Sequence, residues 1–267
     1  ILERATYENL EFIVIENNST EKETFAYYEK IQKEFPQVHV VKWEREFNYS
    51  AINNFGAQFA KGEYFLFLNN DTEIISKDLF EEMLGYAQRP EVGIVGVRLL
   101  YQDNTIQHAG VVIGFGGIAG HTFIGLHEAE SSYFHRAMCA QDYSAVTAAC
   151  MMTRASLFRE LGGFTEELAV AFNDIDYCMK VRNAGKLVVY NPYSVMYHYE
   201  SKSRGLEDTP EKVARFNREI AIFARRWPDI LKNGDPYYNP NLTLRKSNFA
   251  LRDLQKEKTG EPYKLEV

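Results

Sequence analysis

Residues 62–71 read GEYFLFLNND, which is a glycine and a glutamate, a run of aromatic and aliphatic residues, and three polar residues. The run Tyr64–Leu68 is continuously apolar rather than alternating, a pattern typical of a strand buried on both faces. Asn69, Asn70 and Asp71 follow it directly. This stretch therefore predicts a central strand of an α/β sheet whose carboxyl end presents amide and carboxylate groups.

Strand-like and helix-like segments alternate on both sides of this stretch. Strands are predicted at 10–15, 38–43, 93–100, 144–153, 186–190 and 194–199, and helices at 20–34, 50–60, 77–88, 154–161, 174–184 and 210–227. Residues 110–143 predict a hairpin and a mobile loop. Such alternation predicts a mixed, mainly parallel sheet flanked by helices, with ligands at the carboxyl ends of its strands. Glu16 and Asn17 follow the first strand at that edge.

The overall composition excludes several classes of protein. The formal net charge is −7 and Lys and Arg are scattered, which argues against a nucleic-acid partner. Cys139, Cys150 and Cys178 are odd in number and widely spaced, so neither a disulfide framework nor a structural zinc site is expected. No run approaches the roughly 18 apolar residues of a spanning helix. These features predict a cytoplasmic, soluble chain.

Four groups of residues are candidates for chemistry, each with a structural alternative. The Asp71 carboxylate can support a divalent cation together with phosphate oxygens, or it can belong to a turn. Asp174 begins a helix, where a carboxylate can act as a general base or simply cap the helix. His198 follows a strand and can join a metal shell or serve packing. Residues 162–164 (GGF) form a tight turn that either admits an acceptor or only connects two elements.

Taken in order, these segments resemble the family 2 glycosyltransferases, which have the GT-A fold. The resemblance covers about residues 10–205 and rests on 13–19 (IVIENNS), 49–54 (YSAINN), 62–71, 162–164 (GGF), 173–176 (NDID) and His198. Residues 107–111 (QHAGV) and 234–241 (GDPYYNPN) are similar to a bacterial branch associated with surface polysaccharides, including rhamnose-rich ones.

The resemblance implies a metal-dependent, inverting sugar transfer from a UDP- or dTDP-sugar to a hydroxyl of a glycan or lipid-linked glycan. The family pattern implies that Asp71 and His198 bind Mn²⁺ or Mg²⁺ and that Asp174 is the catalytic base. It also implies contacts to the donor and to the acceptor; the donor residues are Glu16, Asn17, Asn70 and Asp71, and the acceptor residues are Gly162, Gly163, Phe164 and Asp176. A lipid-linked acceptor would bring the chain to the inner face of the membrane as a peripheral protein.

Two departures from the family pattern keep a second hypothesis open. Asn69 stands where the family has its first metal-site Asp, and the family's opening strand would lie upstream of Ile1. We therefore expect either an enzyme or a non-catalytic carbohydrate-binding or scaffold module with the same fold. A dinucleotide-dependent oxidoreductase is disfavoured because no Gly-x-Gly-x-x-Gly follows the first strand. The predicted organisation is a GT-A-like domain over 1–205 and a helix with an extended tail over 206–267 that packs on it.

Overall fold

The computed structural model describes residues 1, 3–199, 209–255 and 257. Its strands are β1 Phe12–Glu16, β2 Val38–Lys42, β3 Tyr64–Leu68, β4 Thr72–Ile74, β5 Val92–Leu100, β6 Ile106–His108, β7 Val111–Ile113, β8 Ala119–His121, β9 Gln141–Asp142, β10 Cys150–Arg154 and β11 Leu187–His198. Its helices are α1 Lys22–Glu34, α2 Tyr49–Gly56, α3 Leu79–Ala87, α4 Ala155–Glu160, α5 Asn173–Asn183, α6 Pro210–Arg226 and α7 Pro228–Asn233. None of these helices has both the length and the apolar character needed to span a bilayer.

The larger sheet confirms the predicted α/β class and has the order β3-β10-β5-β11-β4. β5 and β11 pair in parallel, whereas β10 is antiparallel to both β3 and β5, and β4 is antiparallel to β11. β3, β5 and β11 therefore share one direction within a mixed sheet. The predicted mixed sheet is thus confirmed, and its antiparallel member β10 follows the strand–helix alternation of the first hundred residues.

A second sheet holds β1 and β2, which pair in parallel. Among the described strands, β1 pairs only with β2 and β3 pairs only with β10. The other edges of β1 and β3 line one cleft. Within the described residues these two strand edges have no neighbour, so their backbone donors and acceptors are unpaired.

Capping residues explain where several helices begin. Asn48 accepts a hydrogen bond from the Ala51 amide (2.9 Å) and starts α2, and Thr209 with Pro210 starts α6, both favoured arrangements. Thr20 and Glu23 have the spacing of a capping box, but the N-cap of α1 is Glu21, whose side chain makes no capping hydrogen bond. That helix has no buried residue, so packing does not fix its first turn.

The hairpin that the sequence predicts within residues 110–143 is present, and it is part of the core. β7 and β8 form a hairpin, and the β7 side chains are at most 1% exposed. At Gly110, φ is +101° and a Cβ atom would lie 2.4 Å from the Tyr143 ring, so a side chain is excluded there. Residues 144–149, predicted as strand, are buried but irregular, and β10 begins only at Cys150.

The C-terminal tail packs on this core. Asp235 accepts hydrogen bonds from the Ile113 amide (2.8 Å) and the Ser144 hydroxyl (2.7 Å). The Phe249 ring stacks on Phe123 with centroids 4.6 Å apart. These contacts join tail and domain in one hydrophobic core. The predicted boundary at 205–206 lies outside the described residues and stays a prediction.

Candidate active site

Strand pairing brings the loop after β3 next to the end of β11. His198 is opposite Thr72 in the β4–β11 pair, so its imidazole lies beside Asp71. The distance from His198 Nε2 to Asp71 Oδ1 is 3.2 Å. Asn69 Nδ2 lies 3.3 Å from the same imidazole nitrogen. Three predicted or neighbouring polar groups therefore meet at one point, although 129 positions separate Asn69 from His198.

The pair Asp71–His198 has the chemistry of a divalent-cation site. Asp71 Oδ1 is buried and has no hydrogen-bond donor in the described part of the chain, and a cation would compensate it. Two neighbouring ligands of an octahedral ion, each at about 2.1 Å, lie about 3 Å apart, close to the observed 3.2 Å. The residues present thus fit a hard cation.

Two protein side chains would supply only part of such a shell. Within the described residues, no three His, Cys, Asp or Glu side chains are grouped so that they could hold one ion. Mg²⁺ in enzymes is commonly held by one or two carboxylates together with substrate phosphates and water. The remaining ligands at Asp71 and His198 would therefore have to come from a bound phosphate compound and from water.

Asp174 lies at the start of α5 and lines the same cleft as Asp71 and His198. Its carboxylate accepts hydrogen bonds from the amides of Ile175 (2.8 Å) and Ala148 (3.2 Å). The helix N-terminus also favours a negative charge there. Burial, and secondly the negative charge of Asp174, raise the pKa of Tyr49, which lines the cleft as well. The carboxylate is thus fixed in orientation while remaining accessible from the cleft.

The loop that precedes Asp174 is held by helix α6. Glu219 is 1% exposed, and its carboxylate accepts hydrogen bonds from the amides of Val170 (3.1 Å) and Ala171 (2.8 Å). Phe172 has φ +61°, a left-handed backbone conformation that is uncommon for an aromatic residue. Such strain persists where neighbouring contacts impose it. Here the left-handed conformation of Phe172 sets the direction of α5, and with it the position of Asp174 on the cleft.

The predicted donor-binding residues have different environments. Asn70 and Asn17 line the cleft, and the Asn17 side chain donates to the carbonyls of Trp43 and Arg45, each at 3.0 Å. Glu16 is 3% exposed, does not line the cleft, and accepts the Ser19 amide (2.7 Å). Its place at the strand end is as predicted, but the carboxylate turns inward to bond the following loop.

The predicted acceptor residues do not line the cleft, and their contact with an acceptor stays a prediction. Gly162, Gly163, Phe164 and Asp176 are absent from its lining. Phe164 is buried among aromatic rings, including Phe67 at 4.7 Å. Asp176 is fully buried and accepts from Arg226 Nε (2.6 Å) and Trp227 Nε1 (2.8 Å), so it anchors the end of α6. The GGF turn and the second acid of the NDID segment thus have structural roles.

Three residues of the cleft have no role predicted from the sequence. Gln107 contacts His198, Tyr49 packs near Asp174, and Arg215 of α6 contributes a cation. Gln107 had a usable signal, because a polar residue inside the apolar run 106–113 suggests a buried hydrogen bond. Tyr49 and Arg215 lie on helices whose packing depends on distant segments, and no local pattern reveals that.

The cleft is larger than a site for one small molecule. Its volume is about 2500 Å³, against roughly 300–1,000 Å³ for typical ligand pockets. The gap between β1 and β3 accounts for part of the difference, since the residues of both strands line it. Its lining includes the side chains of Asp71, His198 and Asp174.

Comparison with known proteins identifies the family to which the chain belongs. The model of glycosyl transferase family 2 matches residues 1–162. An uncharacterised protein, y4gI, of Sinorhizobium fredii is 48% identical over 94% of this chain, and the O-antigen biosynthesis protein RfbC of Myxococcus xanthus is 40% identical over 94%. The chain spans only 28% and 19% of the length of these two relatives.

Solved structures support the same fold. GalNAc-T7 with UDP, GalNAc and Mn²⁺ matches with a TM-score of 0.60 and 14% identity, covering 82% of this chain and 45% of that one. A mannosyltransferase of Pyrobaculum calidifontis in complex with GDP-Man and Mn²⁺ matches with a TM-score of 0.59 and 15% identity, covering 84% and 58%. The expected GT-A fold is confirmed, and the chain belongs to glycosyltransferase family 2.

Proposed function

We propose that this chain is the catalytic domain of a metal-dependent, inverting glycosyltransferase that uses a UDP- or dTDP-sugar in surface-glycan synthesis. The observation that carries the proposal is the placement of Asp71, His198 and Asp174 on one cleft of a family 2 domain. The first two form a cation site, and the third is an oriented carboxylate. The similarity to an O-antigen biosynthesis protein supports a glycan product.

In the proposed reaction, Asp174 takes the proton of the acceptor hydroxyl as that oxygen forms its bond to the anomeric carbon. The bond from the anomeric carbon to the diphosphate breaks on the opposite face, so the configuration inverts and the nucleoside diphosphate leaves. Mn²⁺ or Mg²⁺, held by Asp71 and His198, would offset charge on the diphosphate. Arg215 lines the same cleft and adds a positive charge to it.

The acceptor is proposed to be a glycan or a lipid-linked glycan. A shorter match, 30% identical over 78 residues, is N-acetylglucosaminyl-diphospho-decaprenol L-rhamnosyltransferase of Mycobacterium tuberculosis, whose name includes a lipid-linked acceptor. Such an acceptor would bring the domain to the cytoplasmic face of a membrane. Whether the acceptor is lipid-linked can be checked by comparing transfer to a water-soluble glycan with transfer to the same glycan on a polyprenyl diphosphate.

The central test is the substitution Asp174→Asn. The amide keeps the size of the side chain but cannot take a proton, so we expect transfer to fall by about 10²–10⁴-fold. Nucleotide-dependent thermal stabilisation in the presence of Mn²⁺ should persist. Glu167→Gln, an exposed position seven residues away along the chain, is the control and should leave transfer unchanged. Full turnover by Asp174→Asn would remove this residue from the base role.

The alternative of a non-catalytic module rests on Asn69, which replaces a charged side chain at the cation site. It predicts that glycans raise the melting temperature whereas sugar nucleotides with Mn²⁺ do not. Release of free UDP or dTDP from a panel of sugar nucleotides would decide for the enzyme. The same panel identifies the donor.

A further inference from the structure

The imidazole of His198 is held by a buried glutamine that the proposed reaction does not use. His198 Nδ1 lies 2.7 Å from Oε1 of Gln107. Gln107 Nε2 donates to the carbonyl oxygen of His198 at 3.4 Å, which fixes which end of the amide faces the ring. Both residues are buried, Gln107 at 3% and His198 at 9% exposure. A buried donor or acceptor without a hydrogen-bond partner destabilises the folded state, so these side chains are expected to keep their contact.

A β-bulge directs Gln107 towards the histidine. In the pairing of β5 with β6, Leu99 is opposite His108 and Leu100 is opposite Ile106, so Gln107 is the extra residue. Bulges re-aim side chains and recur next to active sites. The backbone carbonyl of Gln107 also lies 3.0 Å from His121 Nδ1, which ties the bulge to β8. The position of the amide is therefore set by the fold.

The contact determines which imidazole nitrogen carries the proton. The carbonyl oxygen of an amide can only accept a hydrogen bond, so Nδ1 must be the donor and Nε2 of the neutral ring has a lone pair. Asn69 Nδ2, which can only donate, lies 3.3 Å from that Nε2 and is consistent with the same tautomer. The lone pair of Nε2 thus lies next to Asp71 Oδ1, at 3.2 Å.

We infer that Gln107 is a positioning residue that fixes His198 as the Nδ1–H tautomer, so that Nε2 can bind a divalent cation together with Asp71. Partners on the far side of a metal-bound imidazole orient the ring and contribute about 10–100-fold to metal affinity. This inference rests on the proposed metal-dependent function, and it adds the residue that prepares the site before metal arrives.

Nitrogen-15 NMR of the metal-free chain tests the tautomer directly. With labelled histidine near neutral pH, His198, assigned by its loss in His198→Ala, should show a protonated Nδ1 and an unprotonated Nε2. Gln107→Leu removes the acceptor, and we expect it to lose this pattern. Gln107→Glu keeps an oxygen at the same place and should retain it. A protonated Nε2 in the unaltered chain would overturn the inference without any variant.

Metal affinity provides the second readout. Free Mn²⁺ measured by electron paramagnetic resonance should give a dissociation constant about 10–100-fold weaker for Gln107→Leu, and one within a few-fold of the unaltered chain for Gln107→Glu. Gln141→Leu is the control, because Gln141 lies on β9 and outside the cleft. Equal Mn²⁺ affinity in Gln107→Leu and the unaltered chain would contradict the positioning role. No Mn²⁺ binding by the unaltered chain, either alone or with UDP, would instead contradict the metal dependence, and the tautomer spectra separate the two failures.

Discussion

The imidazole of His108 is fully buried, and neither ring nitrogen has a hydrogen-bond partner among the described residues. Its ring lies 4.7 Å from that of His121 and 6.4 Å from that of Tyr190. Burial, and secondly the neighbouring His121 and His198, hold the pKa of His108 well below its usual range. The folded chain therefore keeps this side chain neutral where an unfolded chain would protonate it.

The consequence is a loss of stability in mild acid. The unfolded state has an ordinary histidine pKa of about 6.5, so below that pH it binds the proton that folded His108 refuses, down to the lower pKa of the folded state. The free energy of unfolding should fall by up to about 1.4 kcal/mol per pH unit from this residue. The free energy of unfolding, measured with urea between about pH 7 and pH 5, should depend less steeply on pH in His108→Met. An unchanged pH dependence in His108→Met would contradict this role of His108. The control is His39→Gln, at an exposed histidine, which should keep the pH dependence of the unaltered chain.

A second residue-level prediction concerns Asp176. Its fully buried carboxylate bonds Arg226, Trp227 and the Thr165 hydroxyl (2.6 Å). Breaking a buried charged pair costs about 3–5 kcal/mol, so Asp176→Asn should lower the free energy of unfolding by that amount. Glu63→Gln breaks the exposed pair with Arg154 (2.9 Å) and should cost less than about 1 kcal/mol. Equal urea midpoints for the two variants would rule out the anchoring role.

Helix α6 holds the loop before α5 through Glu219, which accepts hydrogen bonds from the amides of Val170 and Ala171. The sequence predicts the helix but not these hydrogen bonds. In Glu219→Gln, one of the two acceptor oxygens becomes an NH₂ group that faces a backbone amide. An unsatisfied buried donor costs about 1–3 kcal/mol. Hydrogen exchange at Val170 and Ala171 should accelerate about 5–100-fold in consequence. The exposed Glu211→Gln on the same helix is the control, and equal exchange in both variants would exclude the coupling.

Local sequence patterns predict most elements, and they fail where distant contacts decide. The strands β1, β2, β3 and β5 follow from apolar runs that need no partner to be recognised. The predicted strand over 144–149 is absent, and its only ladder contact among the described residues is the isolated bridge from Ala145 to Val111 of β7. Residues 186–199 read as two strands around Pro192, and the structure joins them into β11 with a shift in register between Asn191 and Val195.

The same distinction applies to the candidate site. Asp71, Asp174 and His198 are recognisable because polar residues after strands or at helix starts stand out in a sequence, and all three reach one cleft. The partners of Asp176 and Gln107 could not be predicted in this way. Asp176 bonds Arg226, 50 positions away, and Gln107 bonds His198, 91 positions away. Short-range spacing carries no information about such pairs, whereas strand order and register create them.

The tail and the domain share one core, so damage to the tail should unfold the whole chain in one step. Phe249 is 4% exposed and packs on Phe123, Phe115 and Tyr238. Truncating such a ring costs about 3–5 kcal/mol, or roughly 6–20 °C in melting temperature for a chain of this size. Fluorescence of Trp43 and of Trp227 should report the same lowered temperature in Phe249→Ala. Leu251→Ala, at an 80% exposed side chain, should shift neither, and a drop confined to the Trp227 signal would mean that the tail folds separately.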